Sequence, residues 1–147
     1  MMINLEQMID FKCDSAIHVF IRKYRVSKEK AEDFWVETLK WLWLGRYHQT
    51  DFAPDKPSTL FIAPPLIPID EMWDAFILCT KEYFEFCKNH FGQYLHHEPH
   101  SNEEGVSKGD YIKNYKYVLS VLGQETAVKW YITLPLIYAD TEENKPF

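Results

Sequence analysis

The sequence predicts an all-α fold: a single compact helical domain of about five or six helices around a central helix near residues 70–91. Three observations lead there. Apolar residues recur every three or four positions in several separate segments. Start and stop residues bracket those segments, with Ser27 and Asp70 at starts and Gly92 and Gly123 at ends. The chain has 147 residues, 16% of them aromatic, enough for one ring-rich core over 1–147 without metals or disulfides to hold it together.

Taken in order, Ile3 to Tyr24 carries Ile9, Ala16, Ile17, Phe20, Ile21 and Tyr24, and predicts one or two short helices. Ser27 as N-cap, with Glu29 in the first turn, starts the next helix near Lys28. Its inner face is Ala31, Phe34, Trp35, Leu39 and Leu42, with Gly45 near its end. Trp41, Trp43 and Leu44 spread around the cylinder, so this end is covered on more than one side. From Tyr47 to Ile69 five prolines exclude regular helix, and Thr59 to Ala63 reads as a short extended piece inside a structured loop.

Asp70 is expected to N-cap the central helix, which runs to about Phe91 with Gly92 as a left-handed cap. Trp73, Phe76, Ile77, Thr80, Phe84, Cys87 and Phe91 make one apolar face. Met72, Phe76, Cys79, Tyr83 and Phe86 make a second face beside it, and Asp74 falls on the solvent strip with Lys81, Glu85 and Lys88. Glu98 to Asp110 reads as a polar loop. Tyr111 to Leu122 returns to helix, with Tyr111, Tyr115, Val118, Leu119 and Leu122 inward. Gln124 to Leu134 is a further short helix or an extended piece ending at Pro135, and the acidic tail 140–147 is expected to fray.

Composition removes several function classes. The formal charge is −6 and no Lys or Arg stripe exists to neutralise successive phosphates, so nucleic acid is not an expected partner. The longest apolar stretch, Leu60 to Ile69, contains three prolines and falls short of the ~20 residues of a membrane span. Cys13, Cys79 and Cys87 are odd in number, lack metal-like spacing and follow no leader-like segment, which points to a reducing cytoplasmic setting. They read as small buried hydrophobes; Cys79 and Cys87 would lie roughly 12 Å apart along one helix, too far to bridge.

The stretch Ile69-Asp70-Glu71-Met72-Trp73-Asp74-Ala75-Phe76 resembles the motif Val-Asp-x-x-Trp-His-x-Phe/His of the glycine-rich domain-containing protein-like family. The likeness continues through Thr80, Tyr83, Phe86-Cys87, Gly92 and His96-His97-Glu98-Pro99, and downstream through Tyr115, Gly123 and Trp130. It covers about residues 28–132. The domain of that family occurs alone in bacteria and fused to glycine-rich regions in plants, and the resemblance implies a helical fold with no particular reaction. One position departs: the histidine that follows the motif's tryptophan is Asp74 here.

Trp73, Phe76, Tyr83 and Cys87 read as packing, Asp70 as a cap, and Gly92, Pro99, Tyr115 and Trp130 as structural motif positions. His96 and His97 carry the sharper possibility, because neutral imidazole is the commonest metal ligand. Adjacent side chains in an extended segment point to opposite faces, so the two do not readily share one ion. A His97 and His100 pair, or His96 with His90 or Asp74 folded back, would leave positions open for water. The preferred reading keeps them structural, one imidazole buried on the long helix and donating to a backbone carbonyl. A Cys87 nucleophile is disfavoured, since an apolar face raises a thiol's pKa.

No phosphate loop, nucleophile elbow or carboxylate pair at recognisable spacing is present. The expectation is therefore a non-enzymatic protein-protein interaction or scaffold module with an unidentified protein partner, its contact surface drawn from surplus rings and the Phe61 to Pro68 segment. The alternative is a metal-binding, hydrolase-like protein using His96, His97 and Asp74, with a divalent metal as its cofactor. A third is a bacterial effector-type protein that binds a target in another cell.

Overall fold

Helix starts and stops lie close to where side-chain chemistry puts them. In the computed structural model, which describes residues 4–98 and 107–137, Asn4 Oδ1 accepts the Glu6 amide at 2.7 Å and opens α1 (Leu5–Met8). Helix α2 (Asp14–Tyr24) stops at Arg25, a non-glycine residue at φ 52 whose N–H returns to Ile21 O. Ser27 Oγ accepts the Lys30 amide at 3.1 Å and opens α3 (Lys28–Thr50), as expected. Gly45 does not end it; the helix passes through to Thr50, with Leu42 and Leu44 buried just before Gly45 and the Leu95 side chain packed over it.

The proline-rich segment holds no strand at 59–63. A 3-10 turn at Pro64–Leu66 leads straight into α4 (Ile67–Leu78). Helix α4 therefore begins before Asp70, and Asp70 is not its cap. Pro68 at the first turn is the reason, since proline lacks an N–H that the first turn would leave unpaired in any case. The long helix expected over 70–91 is broken at Cys79 (φ −86, ψ 68), and α5 (Thr80–Phe91) continues in a new direction.

No Gly or Pro marks that break; packing imposes it. Trp73 and Tyr83 are ten residues apart, about 15 Å along a straight helix axis, yet the indole N–H donates to the Tyr83 hydroxyl at 3.0 Å. The bend brings Trp73, Phe76, Tyr83, Phe86 and Cys87 inward, residues drawn from both expected apolar faces, and turns Thr80 and Phe84 out to solvent, against their expected place on the first face. Gly92 (φ 73) closes α5 in the left-handed region, as its position predicts.

Helix α6 (Lys108–Leu122) opens on Ser107, whose Oγ accepts the Asp110 amide at 3.1 Å. Of the expected inward row Tyr111, Tyr115, Val118, Leu119 and Leu122, Val118 is buried and Tyr115 and Leu122 are partly buried against the core; the face is turned toward Asn114 and Tyr117, with Asn114 bonded to the proline loop. After Gly123 come α7 (Gln124–Val128) and a π-helical turn at Lys129–Thr133, and helix persists to 137 instead of ending at Pro135. A proline ring collides with the carbonyl four residues before it; the widened turn that includes residue 131 makes room.

Among the described residues there are seven α-helices and no strand, so the all-α expectation holds, and the broken central helix accounts for much of the excess over five or six. Helix α4 is central, packed against both α2 and α3. Trp35, Trp130, Tyr24, Tyr83, Phe20, Phe34, Phe76 and Phe86 are fully buried in one continuous core. Among the described residues no helix is long and apolar enough to cross a membrane. Pro99, His100 and the tail 140–147 lie outside the described residues, as does most of the 98–110 loop.

Candidate functional site

Asp70 and Asp74 are four residues apart on α4, which sets their carboxylates on one face a turn apart. The third member comes from the chain that follows α5. Gly92 turns it back, Leu95 is buried, and the Tyr83 hydroxyl donates to Leu95 O at 2.6 Å while accepting the Trp73 indole N–H. This chain of contacts lays residues 93–98 across α4.

His97 thereby lies flat on Trp73, ring centroids 3.9 Å apart and planes 2° from parallel. Its Nε2 is 2.8 Å from Asp70 Oδ1 and 3.2 Å from Asp74 Oδ1. The three ligand-type atoms all fall within 4.8 Å of one another. An imidazole was expected against the central helix, and it is; its partners are two carboxylates, not a backbone carbonyl. Burial pushes the Asp74 carboxyl above the usual range, Asp70 and Glu71 add to the rise, and His97 and Lys23 oppose it. The pair of aspartates is therefore a repulsive site partly relieved by the imidazole.

His97 also lines a cleft of about 360 Å³ between the second half of α3, the proline loop and residues 95–98. Trp41, His48, Thr59, Leu60, Trp73 and His96 contribute walls. The loop wall is held by Asn114, a buried polar side chain. Its Oδ1 accepts the Phe61 amide at 3.2 Å, and its Nδ2 donates to Thr59 O at 3.0 Å and Asp110 O at 3.1 Å. His48 Nε2 reaches Pro57 O at 2.6 Å and tethers the other end of the loop.

Not every expected residue joins the cluster. His96 is exposed and meets Tyr94 edge to face at 4.9 Å, so adjacent histidines do diverge as an extended segment requires. His90 is packed between Phe11 and Phe86 with Nδ1 3.0 Å from Phe86 O, too committed to fold back. Cys87 is buried, and burial raises its thiol above the ordinary range. Trp130 and Tyr115 are remote from the site: the Trp130 indole donates to the buried Glu37 carboxylate at 2.8 Å, and Tyr115 packs on Tyr131.

Sequence reasoning missed Asn114, and it preferred a capping role for Asp70 over a role as ligand. Asn114 sits three residues before Tyr117, so an inward face drawn through it was readable. Asp70 and Asp74 share the i, i+4 spacing that places two carboxylates together.

The fold and site define a small all-helical protein with two carboxylates and one imidazole converging on a point beside a cleft. The profile of the UCP032817-like family matches residues 47–139, and the chain belongs to that family. The matched span includes Asp70, Asp74 and His97. No curated protein and no solved structure matches the chain.

Proposed function

We propose that the protein binds a divalent cation through Asp70, Asp74 and His97, as the metal centre of a hydrolase-like site bordering the cleft. The observation that carries this is the convergence of three ligand atoms from two separate elements. Ligands about 2.1 Å from an ion and at right angles are about 3 Å apart, close to the 2.8 and 3.2 Å found at His97 Nε2. Two hard oxygens and one imidazole nitrogen suit Mn²⁺, Fe²⁺ or Zn²⁺. Three protein ligands leave positions for water and substrate, the arrangement in which a metal lowers the pKa of water or polarises a carbonyl or phosphoryl oxygen. A dication also offsets the burial and the carboxylate repulsion that together raise Asp74.

The test is metal content and calorimetric titration with Mn²⁺ and Zn²⁺ on protein purified without an affinity tag. Wild type and His96→Ala are expected to bind one ion, and Asp74→Asn and His97→Gln to lose at least tenfold in affinity. Equal behaviour of all four proteins would reject the site.

A second reading, a protein-interaction module, is supported by Val128, Ile132 and Leu136, an i, i+4 row at 39%, 60% and 68% exposure on the last helix. Its test is recovery of a partner by wild type and loss with Ile132→Asp. Kinship with the glycine-rich domain-containing protein-like family is part of the proposal, since motif positions Trp73, Tyr83 and His97 form one contact chain here.

A further inference from the structure

The cleft beside the metal centre has a second polar end. Residues 93–97 run along α3 in the opposite direction to it: Gln93 Nε2 donates to Gln49 Oε1 at 3.4 Å, and the Leu95 side chain packs over Gly45. Continuing the two runs brings His97 level with Trp41, and both line the cleft with Gln49. Trp41 and Gln49 are about 12 Å apart along the helix. Leu60, Ile62 and Leu95 supply the apolar lining, and among the described lining residues there is no Lys or Arg. The Gln49 end instead borders a guanidinium. Arg46, half-buried and one turn earlier on α3, donates from Nη1 to Gln49 Oε1 at 3.1 Å, so that oxygen takes two donors and the Gln49 NH2 group stays free to donate. Arg46 Nε is buried with no hydrogen-bond partner. Among the described residues no carboxylate pairs with this guanidinium, although the chain has 22 acidic residues. A guanidinium is always charged and only donates, and a buried charged donor is costly to leave without an acceptor. The acceptor this end lacks is an anion.

We propose that Arg46 and Gln49 anchor a carboxylate of the substrate, which lies along the cleft with an apolar middle and its reacting group at the metal. The reacting end rests on the metal-centre reading; the anchor itself needs no metal. Because Nε is closed off in the ligand-free rotamer, the guanidinium swings toward the cleft as it binds, and the unpaired N–H gains its acceptor in the process. Nε–H and one Nη–H then form a parallel pair that matches the two oxygens of a carboxylate, with the Gln49 NH2 group donating beside them. A carboxylate suits the site better than a phosphate dianion, because one guanidinium is the only fixed positive charge at this end and Glu98 is part of the lining.

The experiment titrates octanoate and inorganic phosphate into metal-free wild type, Arg46→Gln and Arg46→Lys, and octanoate and suberate into Zn²⁺-treated wild type and His97→Gln, followed by nitrogen-edited NMR of the Arg46 Nε–H and the Gln49 side-chain amide. Metal-free wild type is expected to bind octanoate with shifts at both groups. Affinity should fall about tenfold or more in Arg46→Gln and by less in Arg46→Lys, which keeps the charge and loses the fork. Should Arg46→Gln fail to fold, Arg46→Lys carries the comparison. With Zn²⁺, suberate, which has a carboxylate at each end, should bind wild type about tenfold tighter than octanoate does, and that advantage should vanish in His97→Gln. Equal octanoate binding by wild type and the Arg46 variants, a preference for phosphate, or no shift at the Gln49 amide would each overturn the anchor. Failure of every protein to bind Zn²⁺ would reject the metal centre instead, and the octanoate series would still decide the anchor.

Discussion

The Trp73 indole serves two partners at once: its face carries the His97 ring at 3.9 Å, and its N–H donates to the Tyr83 hydroxyl at 3.0 Å. The position of His97 beside its carboxylates thus depends on a hydroxyl on the next helix. Tyr83→Phe keeps the ring packing but leaves the Trp73 N–H and Leu95 O without their partner, a loss of about 1–3 kcal/mol. Chemical denaturation reads that loss, and cation affinity should fall with it even though Tyr83 touches no ligand atom.

Asp74→Asn is expected to act in opposite directions with and without metal. The folded-state pKa of Asp74 is raised, so the folded chain holds that proton more tightly than the unfolded chain. Stability from this group is gained as pH falls through the raised value and lost as pH rises above it. Without metal the Asn variant should therefore melt higher than wild type at pH 7, with the gap closing toward the ordinary carboxylate range. With Mn²⁺ added, wild type should gain stability and the variant should not. A variant that melts lower without metal at pH 7 would refute the repulsion argument.

Glu37 is 2% exposed and holds three donors: the Trp130 indole at 2.8 Å, Lys40 at 3.4 Å and Lys129 at 3.7 Å. Burial pulls the Lys129 ammonium down, but Asp33 and Glu37 outweigh it and hold it above its ordinary value. Glu37→Ala strands these donors and should cost about 3–5 kcal/mol, with Glu37→Gln milder because an acceptor for the indole survives. Thermal melts of the two variants give the ordering.

Asn114→Leu should release the proline loop without unfolding the chain. Three hydrogen bonds end on this side chain, and amide exchange at Phe61, whose N–H loses its acceptor, should accelerate by tenfold or more. Exchange at core amides such as Phe76 should change far less. Uniform acceleration across both would show global loosening instead.

Much of the fold was legible because its signals are local. Ser27, Gly92 and Gly123 are capping residues acting within a few positions of themselves, and each marks a boundary. The break at Cys79 was not legible, since no residue there breaks helices and its cause is a contact between Trp73 and Tyr83. The start of α4 was misplaced for a related reason: Asp70 looks like a cap, and its carboxylate is instead turned to His97. In the candidate site, Asp74 and His97 were singled out from motif and chemistry. Their meeting depends on how residues 93–98 fold back, which spacing alone does not encode.

The π turn at Lys129–Thr133 has a consequence for chain length. A π turn accommodates one more residue than an α turn would, so the segment reads as a helix with a single residue inserted. Trp130 and Leu134 are both fully buried on either side of that surplus. Deleting one residue between them would restore an ideal helix and leave these two side chains three positions apart, still on one face, but it would close the widened turn that makes room for the Pro135 ring. The irregular turn is what lets this terminal helix continue past a proline.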